Sequence, residues 1–220
     1  MKRAVFIAAA VIFVAAFAYA GFSVVQKREL QARVTELVQA ASGQLAEALA
    51  VDLVTPAAGQ SERLDKAVEQ ADARLQQLRA LPARRDRALV EAADPYVAGV
   101  LEVLRRQAGT TRHRARFIED RRQLQEHVAR IGARTEGWLA DAIRLRKRLD
   151  EAYYDYELSV TSLGNMLAGQ VEARRKLVLR LPAVAIPEEA AIIQARERTL
   201  AAASATKQEM EQARALIKPG

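Results

Sequence analysis

A regular apolar seam runs through residues 64–78, which read LDKAVEQADARLQQL. Its apolar positions recur in alternating steps of four and three residues: Leu64, Val68, Ala71, Leu75 and Leu78. This heptad spacing keeps the apolar side chains on one face of a helix, which buries that face against neighbouring helices. The stretch therefore predicts an amphipathic helix within a bundle or coiled coil.

The same helical period continues on both sides of this stretch. No long alternation of apolar with polar residues occurs, and no Asn-Gly or Asp-Gly hairpin turn is present. The composition, 50% hydrophobic and 28% charged but only 5% aromatic, is typical of long helices. We therefore expect an all-α fold in which an N-terminal transmembrane or signal helix precedes an elongated antiparallel bundle or coiled coil of four to five helices. The further predicted seams pass through Val97, Leu101, Leu104 and Ala108, through Ile143, Leu149, Ala152, Tyr156, Val160, Leu163, Leu167 and Val171, and through Ile193, Leu200, Ala203, Met210 and Ile217.

Proline, glycine and capping residues divide the chain into segments. Proline at a first helical position and Asp or Ser just before a helix are typical start signals. The predicted boundaries, in chain order, are a body helix over 26–54, a loop over 55–60, a helix capped by Ser61, a long segment that starts at Asp94 and Pro95, interruptions at 108–111 and 132–137, and a last helix that starts near Pro187.

The N-terminal segment carries the strongest membrane signal in the chain. Residues 4–25 read AVFIAAAVIFVAAFAYAGFSVV and contain no charged side chain. At 1.5 Å per residue this run would span about 33 Å, close to the ~30 Å hydrocarbon core of a bilayer. Lys2 and Arg3 precede the run, and Lys27 and Arg28 follow it. We therefore expect residues 4–25 to contact a membrane.

Two fates of this segment fit its sequence. We favour retention, in which residues 1–25 form a single-pass inner-membrane anchor and residues 26–220 form a helical bundle domain. The alternative is cleavage after Ala20, at the small-x-small pattern Ala18-Tyr19-Ala20, which would release a soluble periplasmic bundle. Basic residues flank both ends in nearly equal number, so the positive-inside rule does not decide the orientation of the segment. The short, signal-like N-terminal flank favours a periplasmic body.

No residue pattern typical of an enzyme is present. The chain has no cysteine, which excludes a disulfide, a thiol nucleophile and a Cys-based zinc site. His113 and His127 each lack the glutamate three residues earlier that a helical carboxylate-histidine metal site uses. Ser204 and Lys207 match Ser-x-x-Lys, but the Ser-Asp-Asn and Lys-Thr-Gly motifs that accompany it are missing. We predict a non-catalytic protein with no metal site and no cofactor.

Two clusters are the candidate interaction residues. We interpret the clustered cations, in a chain of net charge +7, as a solvated helix face, with anionic lipid headgroups or an acidic protein as the alternative partners. Three tyrosines within four residues cannot share one helix face, so we expect some to pack in the core and others to meet a partner. The residues are Arg112, Arg114, Arg116, Arg121 and Arg122 in the first cluster and Tyr153, Tyr154 and Tyr156 in the second.

These patterns lead to one favoured function and two alternatives. The favoured hypothesis is a membrane-anchored cell-envelope bundle that acts as a structural scaffold or protein-interaction module, with a protein partner or self-association through its helices. One alternative is a sensory or ligand-binding bundle. The other is a membrane-tethered basic protein that binds anionic lipid or nucleic acid; an exported body makes nucleic acid the less suitable partner.

Overall fold

The computed structural model describes the backbone of residues 2–130 and 136–216, and the side chains of residues 23–84, 86–130 and 136–216. It contains five α-helices, joined by short connections, and a single 3-10 turn at Ala83–Arg85. No β-strand occurs in the residues that are described, so the all-α prediction is confirmed. The helices are α1 at Lys2–Leu49, α2 at Gln60–Ala80, α3 at Arg87–Ala129, α4 at Trp138–Val178 and α5 at Glu189–Ala215.

Consecutive helices of the body run antiparallel. The Gln170 amide donates to the Tyr96 carbonyl over 3.2 Å, while Arg148 pairs with Asp120 further along α3. As the position on α3 rises, the partner position on α4 falls, which defines opposite chain directions. Ion pairs show in the same way that α2 runs antiparallel to α3 and that α4 runs antiparallel to α5.

The first helix runs parallel to α3. The hydroxyls of Ser42 and Tyr96 are hydrogen-bonded at 2.9 Å, and the Gln107 amide donates to the Ala48 carbonyl at 2.7 Å. Partner positions on α1 and α3 thus rise together. The C-terminal end of α1 is thereby inserted between the other helices of the bundle.

The bundle has two differently built halves. At the five-helix end all five helices contribute to one apolar core, and α1 supplies Leu30, Val34, Val38, Ala41 and Leu45. At the three-helix end only α3, α4 and α5 pack together. The core of the three-helix end consists of Phe117, Leu124, Leu149, Ala152, Met210 and Ala213.

The start of α3 differs from the prediction. The helix begins at Arg87, because the Asp86 carboxylate accepts a hydrogen bond from the Leu89 amide and so caps the first turn. Pro95 lies inside α3 rather than at its start, on the exposed side of the helix. The prediction that Asp94 and Pro95 start this helix was therefore wrong.

The predicted interruption at 108–111 is also absent, since α3 passes through these residues without a break. The Thr110 hydroxyl bonds back to the Arg106 carbonyl and also meets the Ser159 hydroxyl of α4 at 2.7 Å. Thr111 bonds back to Gln107 in the same way. Both polar side chains are thus satisfied within helical geometry. Of the second predicted interruption, at 132–137, residues 132–135 lie outside the described part of the chain; α3 ends at Ala129 and α4 begins at Trp138.

Several other helix boundaries and buried helix faces differ from the prediction by a few residues. The first body helix ends at Leu49 rather than at 54, and α2 begins after Gly59, whose φ of 71° favours glycine, rather than at a Ser61 cap. Ile193 and Leu200 of α5, predicted to face inward, are exposed, as is Ile143 of α4. Met210 is buried as predicted, and the rest of the inner face of α5 consists of Ile192, Ala195, Thr199, Ala202, Thr206 and Ala213.

The described helices include none that is long and apolar enough to cross a membrane. Residues 4–22 of the predicted membrane segment lie outside the part of the chain whose side chains are described. The anchor and the signal segment therefore remain predictions.

Candidate functional site

A buried arginine marks the boundary between the five-helix end and the three-helix end. Arg114 of α3 is only 2% exposed. Its Nε donates to the Val54 carbonyl over 2.7 Å, its Nη1 to the Thr206 hydroxyl over 3.2 Å and its Nη2 to Glu209 over 2.8 Å. A buried charge is stable only when it is paired and hydrogen-bonded, and here three groups from two other parts of the chain satisfy it. This set is termed the arginine junction below.

Two aromatic rings complete the arginine junction. The guanidinium carbon of Arg114 lies 5.3 Å from the ring centre of Phe117 and 5.8 Å from that of Tyr156. The Tyr156 hydroxyl donates to the Leu53 carbonyl over 3.1 Å, and burial raises the pKa of this phenol. Arg114 and Tyr156 therefore bind two successive carbonyls of the connection between α1 and α2 and fix its path over the bundle.

Beside the arginine junction lies a mainly apolar groove with a volume of about 390 Å³. This size falls within the roughly 300–1,000 Å³ of small-molecule pockets. Its walls come from the end of α1, from residues 50–54, from α4 and from α5. The alanines of α5 have short side chains, which leave this space between the helices unfilled. The lining residues are Ala48, Leu49, Ala50, Val51, Asp52, Leu53, Val54, Gln107, Leu163, Leu167, Ala195, Arg198, Thr199, Ala201, Ala202 and Ala205.

The polar groups of the groove differ in how far they are engaged. Both carboxylate oxygens of Asp52 accept hydrogen bonds, from the amides of Val54 and Thr55 and from the Thr55 hydroxyl. These bonds lower the pKa of Asp52, and the bond from the Thr55 hydroxyl has the largest effect. Arg198 makes one hydrogen bond, from Nη2 to the Leu49 carbonyl at 3.0 Å, and no ion pair within the part of the chain that is described.

The predicted arginine cluster divides between the core and the surface. Apart from Arg114, which is buried, its members lie on the outside or rim of the bundle, and each is paired with a carboxylate. Those pairs are Arg112 with Asp65, Arg116 with Asp155 and Asp120, Arg121 with Glu209, and Arg122 with Glu119 and Glu126. The Arg122 guanidinium lowers the pKa of the Glu119 carboxyl to about 2. Much of the positive charge in this cluster is thus balanced within the chain.

The three tyrosines point in three directions. Tyr156 is buried in the arginine junction. Tyr153 is half-buried with its ring centre 6.3 Å from that of Phe117, and burial, helped by its bond to Glu157, raises its pKa to about 12. Tyr154 is 63% exposed. The structure therefore brings Arg114, Arg121 and Tyr156 into one region and leaves Tyr154 on the surface.

Tyr154 is one of four exposed large apolar residues of α4, which form two pairs one turn apart: Leu139 with Ile143, and Tyr154 with Leu158. Leu139, Ile143, Tyr154 and Leu158 are each more than half exposed. Their spacing places all four within about 100° of arc around the helix, at 100° per residue. Among the helices that are described, α4 contacts only α3 and α5. These four residues, the α4 outer face, therefore lie on the side of α4 that no helix covers.

The two histidines have different surroundings. His127 stacks on Trp138 at 5.3 Å between ring centres, and its Nε2 lies 3.0 Å from the Trp138 carbonyl oxygen. His113 is half-buried beside Arg106 and Ser159. Within the described ranges no three metal-binding side chains come together.

Sequence reasoning missed the groove and most of the arginine junction. Thr206, Glu209 and Arg198 on α5 were not among the predicted residues, and neither was the connection after α1. One signal was available: Thr199 and Thr206 are spaced by seven residues and bracket Ala202 in a heptad seam of small residues. Comparison of the chain with protein-family models, with curated proteins and with solved structures finds no match.

Proposed function

We propose that this protein is a non-catalytic, membrane-anchored scaffold of the cell envelope, whose periplasmic bundle binds a protein partner through the α4 outer face. The observation that carries the proposal is the exposure of four large apolar side chains on one side of one helix. Exposed apolar surface is typical of protein-interaction sites, and on the α4 outer face it forms two patches on either side of the exposed Lys147. An amphipathic partner helix would bury this face as the neighbouring helices bury the opposite side of α4.

The charge pattern supports a protein partner over an anionic surface. Binding of lipid headgroups or nucleic acid requires cations that are free to meet phosphate groups. Arg112, Arg116 and Arg122 each form an ion pair with a nearby carboxylate, and Arg114 is buried. The α4 outer face, by contrast, has apolar side chains that none of the described helices covers.

The proposal can be tested by photo-cross-linking in the native host. A benzophenone amino acid replaces Tyr154 or Leu158 on the α4 outer face, and a matched control replaces the exposed Gln77 of α2. We expect both α4 positions to cross-link to the same protein and the Gln77 position not to do so. Cross-linking at 154 should be lost in Leu158→Glu, because a charge on this face opposes apolar burial.

Equal cross-linking from Gln77, or cross-linking at 154 that survives Leu158→Glu, would rule out this face as the docking surface. The membrane part of the proposal is tested separately by intact mass and fractionation. A full-length chain in the membrane fraction, with its body cleaved by protease added from the periplasmic side, supports the anchor and the orientation. A soluble chain that begins at Gly21 would contradict the anchor.

The groove favours a second function, that of a ligand-binding bundle. It is a mainly apolar space between helices with a few polar groups at its edge, which is the usual form of a small-molecule site. Saturable binding of a small molecule that leaves the cross-link at 154 unchanged would support this second function.

A further inference from the structure

The walls of the groove determine how apolar a molecule must be to bind there. Leu53, Leu163 and Leu167 are almost completely buried, and the alanines of α5 form the opposite side. Such walls offer dispersion contacts and no hydrogen bonds along most of their length. An apolar chain or ring would therefore be stabilised in the groove, since its apolar surface leaves water.

The polar groups of the groove determine which head group a bound molecule can carry. Asp52 has little acceptor capacity left, because three hydrogen bonds from Val54 and Thr55 occupy most of the roughly four acceptor positions of its carboxylate. The Gln107 amide is bound to the Ala48 carbonyl. Arg198 is the remaining charged group in the lining, and its guanidinium has five N–H donors, of which the Leu49 carbonyl takes one.

We infer that the groove binds a small amphiphilic carboxylate: a free medium-chain fatty acid anion whose alkyl chain lies along the apolar walls and whose head group meets Arg198. A guanidinium can bind both oxygens of a carboxylate at once, which gives orientation as well as binding energy. The site is separate from the α4 outer face, so this inference does not depend on the proposed protein partner.

The test is binding of decanoate to the full-length chain in phosphatidylcholine nanodiscs, measured by calorimetry, with empty nanodiscs subtracted. We expect saturable binding of one decanoate per chain. Arg198→Gln should weaken it by about tenfold or more, since a charge-assisted hydrogen bond is lost. Arg198→Lys, which keeps the charge, should retain more of the binding than Arg198→Gln.

Two matched controls separate the groove from general effects. Arg196→Gln removes an exposed arginine two residues away that does not line the groove, and decanoate binding should stay unchanged. Ala205→Leu fills the groove and should abolish binding, whereas Ser204→Leu, outside the groove, should not. Helical content measured by circular dichroism identifies any variant that fails to fold, and the Arg198 series then provides the test.

The ligand class is checked with two molecules of the same chain length. Decyltrimethylammonium carries the opposite charge and should not compete with decanoate. Decanol lacks the charge and should bind more weakly. The inference is overturned if decanoate does not bind above the empty nanodiscs, if Arg198→Gln binds as well as the wild type, or if either control molecule binds as tightly as decanoate.

Discussion

The five-helix end and the three-helix end share a heptad period but differ in what holds them together. The five-helix end buries long aliphatic residues from all five helices in one core. The core of the three-helix end consists, in the described residues, of six side chains, two of them alanines. Around it lie ion pairs such as Arg122 with Glu126 and Arg214 with Asp150. Partly exposed ion pairs contribute little, so we expect the five-helix end to carry most of the folding free energy.

The sharpest test of this difference compares two core leucines. Leu104 of the five-helix end and Leu149 of the three-helix end are both fully buried. Leu104→Ala should lower the free energy of unfolding of the whole chain by about 3–5 kcal/mol, because it leaves a cavity in the main core. Leu149→Ala should instead open the three-helix end locally, since regions with few buried apolar contacts unfold first.

The only tryptophan of the chain reports on this local opening. Trp138 lies at the start of α4, stacked on His127, so its emission follows the three-helix end. In urea, Leu149→Ala should separate the Trp138 transition from the later loss of helical circular dichroism, while Leu104→Ala should shift both together. Coincident transitions in Leu149→Ala would mean that the two ends unfold as one unit.

The second test removes the charge that joins the two ends. Arg114→Met should cost about 3 kcal/mol, the low end for a broken buried ion pair, because Arg121 still binds Glu209. Arg112→Met is the matched control on the same helix: its pair with Asp65 is exposed, and its loss should cost less than about 1 kcal/mol. Urea denaturation measures both. A similar cost for the two variants would show that Arg114 does not act as a junction.

A third change tests the contact of the arginine junction with the connection after α1. Tyr156→Phe keeps the ring but removes the hydroxyl that binds the Leu53 carbonyl. We expect a loss of about 1–2 kcal/mol, because a buried carbonyl is left without its donor. Tyr154→Phe, on the exposed side of the same helix, is the control and should be neutral. An equal effect of the two would contradict the role of Tyr156.

The smallest expected effect concerns Asp52 and depends on pH. The pKa of Asp52 in the folded chain lies below its ordinary value of 3.8, so its bonds stabilise the fold above that pH and are lost as the pH falls through the lowered pKa. Asp52→Asn should therefore cost less than about 1 kcal/mol at pH 6, since the carboxylate is exposed. The difference should vanish in more acidic solution. Thermal melting from pH 2 to pH 7 measures it, and a cost that grows in acid would reverse the assignment.

The five-helix end was the more predictable half. Its seams consist of leucine and valine at regular spacing, and the helix that contains Leu64 and Leu75 begins two residues before its predicted start. Met210 on the inner face of α5 was predicted correctly, but Ile193 and Leu200 were not, because they are more hydrophobic than the alanines and threonines that the observed face contains. Part of that face lines the groove, where Ala195, Thr199 and Ala202 leave space between the helices, and such a space is a property of the packed bundle.

The arginine junction and the groove could not be derived from local patterns. Nothing within the sequence around Arg114 separates it from Arg112 or Arg116, and its burial depends on Glu209, which lies 95 positions later. The groove likewise joins residues 48–54 to α5. Both features arise where the end of α1 meets helices that are distant in sequence.

The uninterrupted course of α1 has a consequence for where the groove can operate. From residue 26, where the predicted membrane segment ends, to Leu49 at the groove, the helix is continuous and spans about 36 Å. If the N-terminal segment occupies the bilayer as proposed, α1 acts as a rigid spacer of that length. The groove can then stand several Debye lengths, each about 8 Å in physiological salt, from the headgroups. At that height the surface charge of the membrane is screened, so Arg198 would meet solutes of the aqueous compartment rather than the electric field of the lipid.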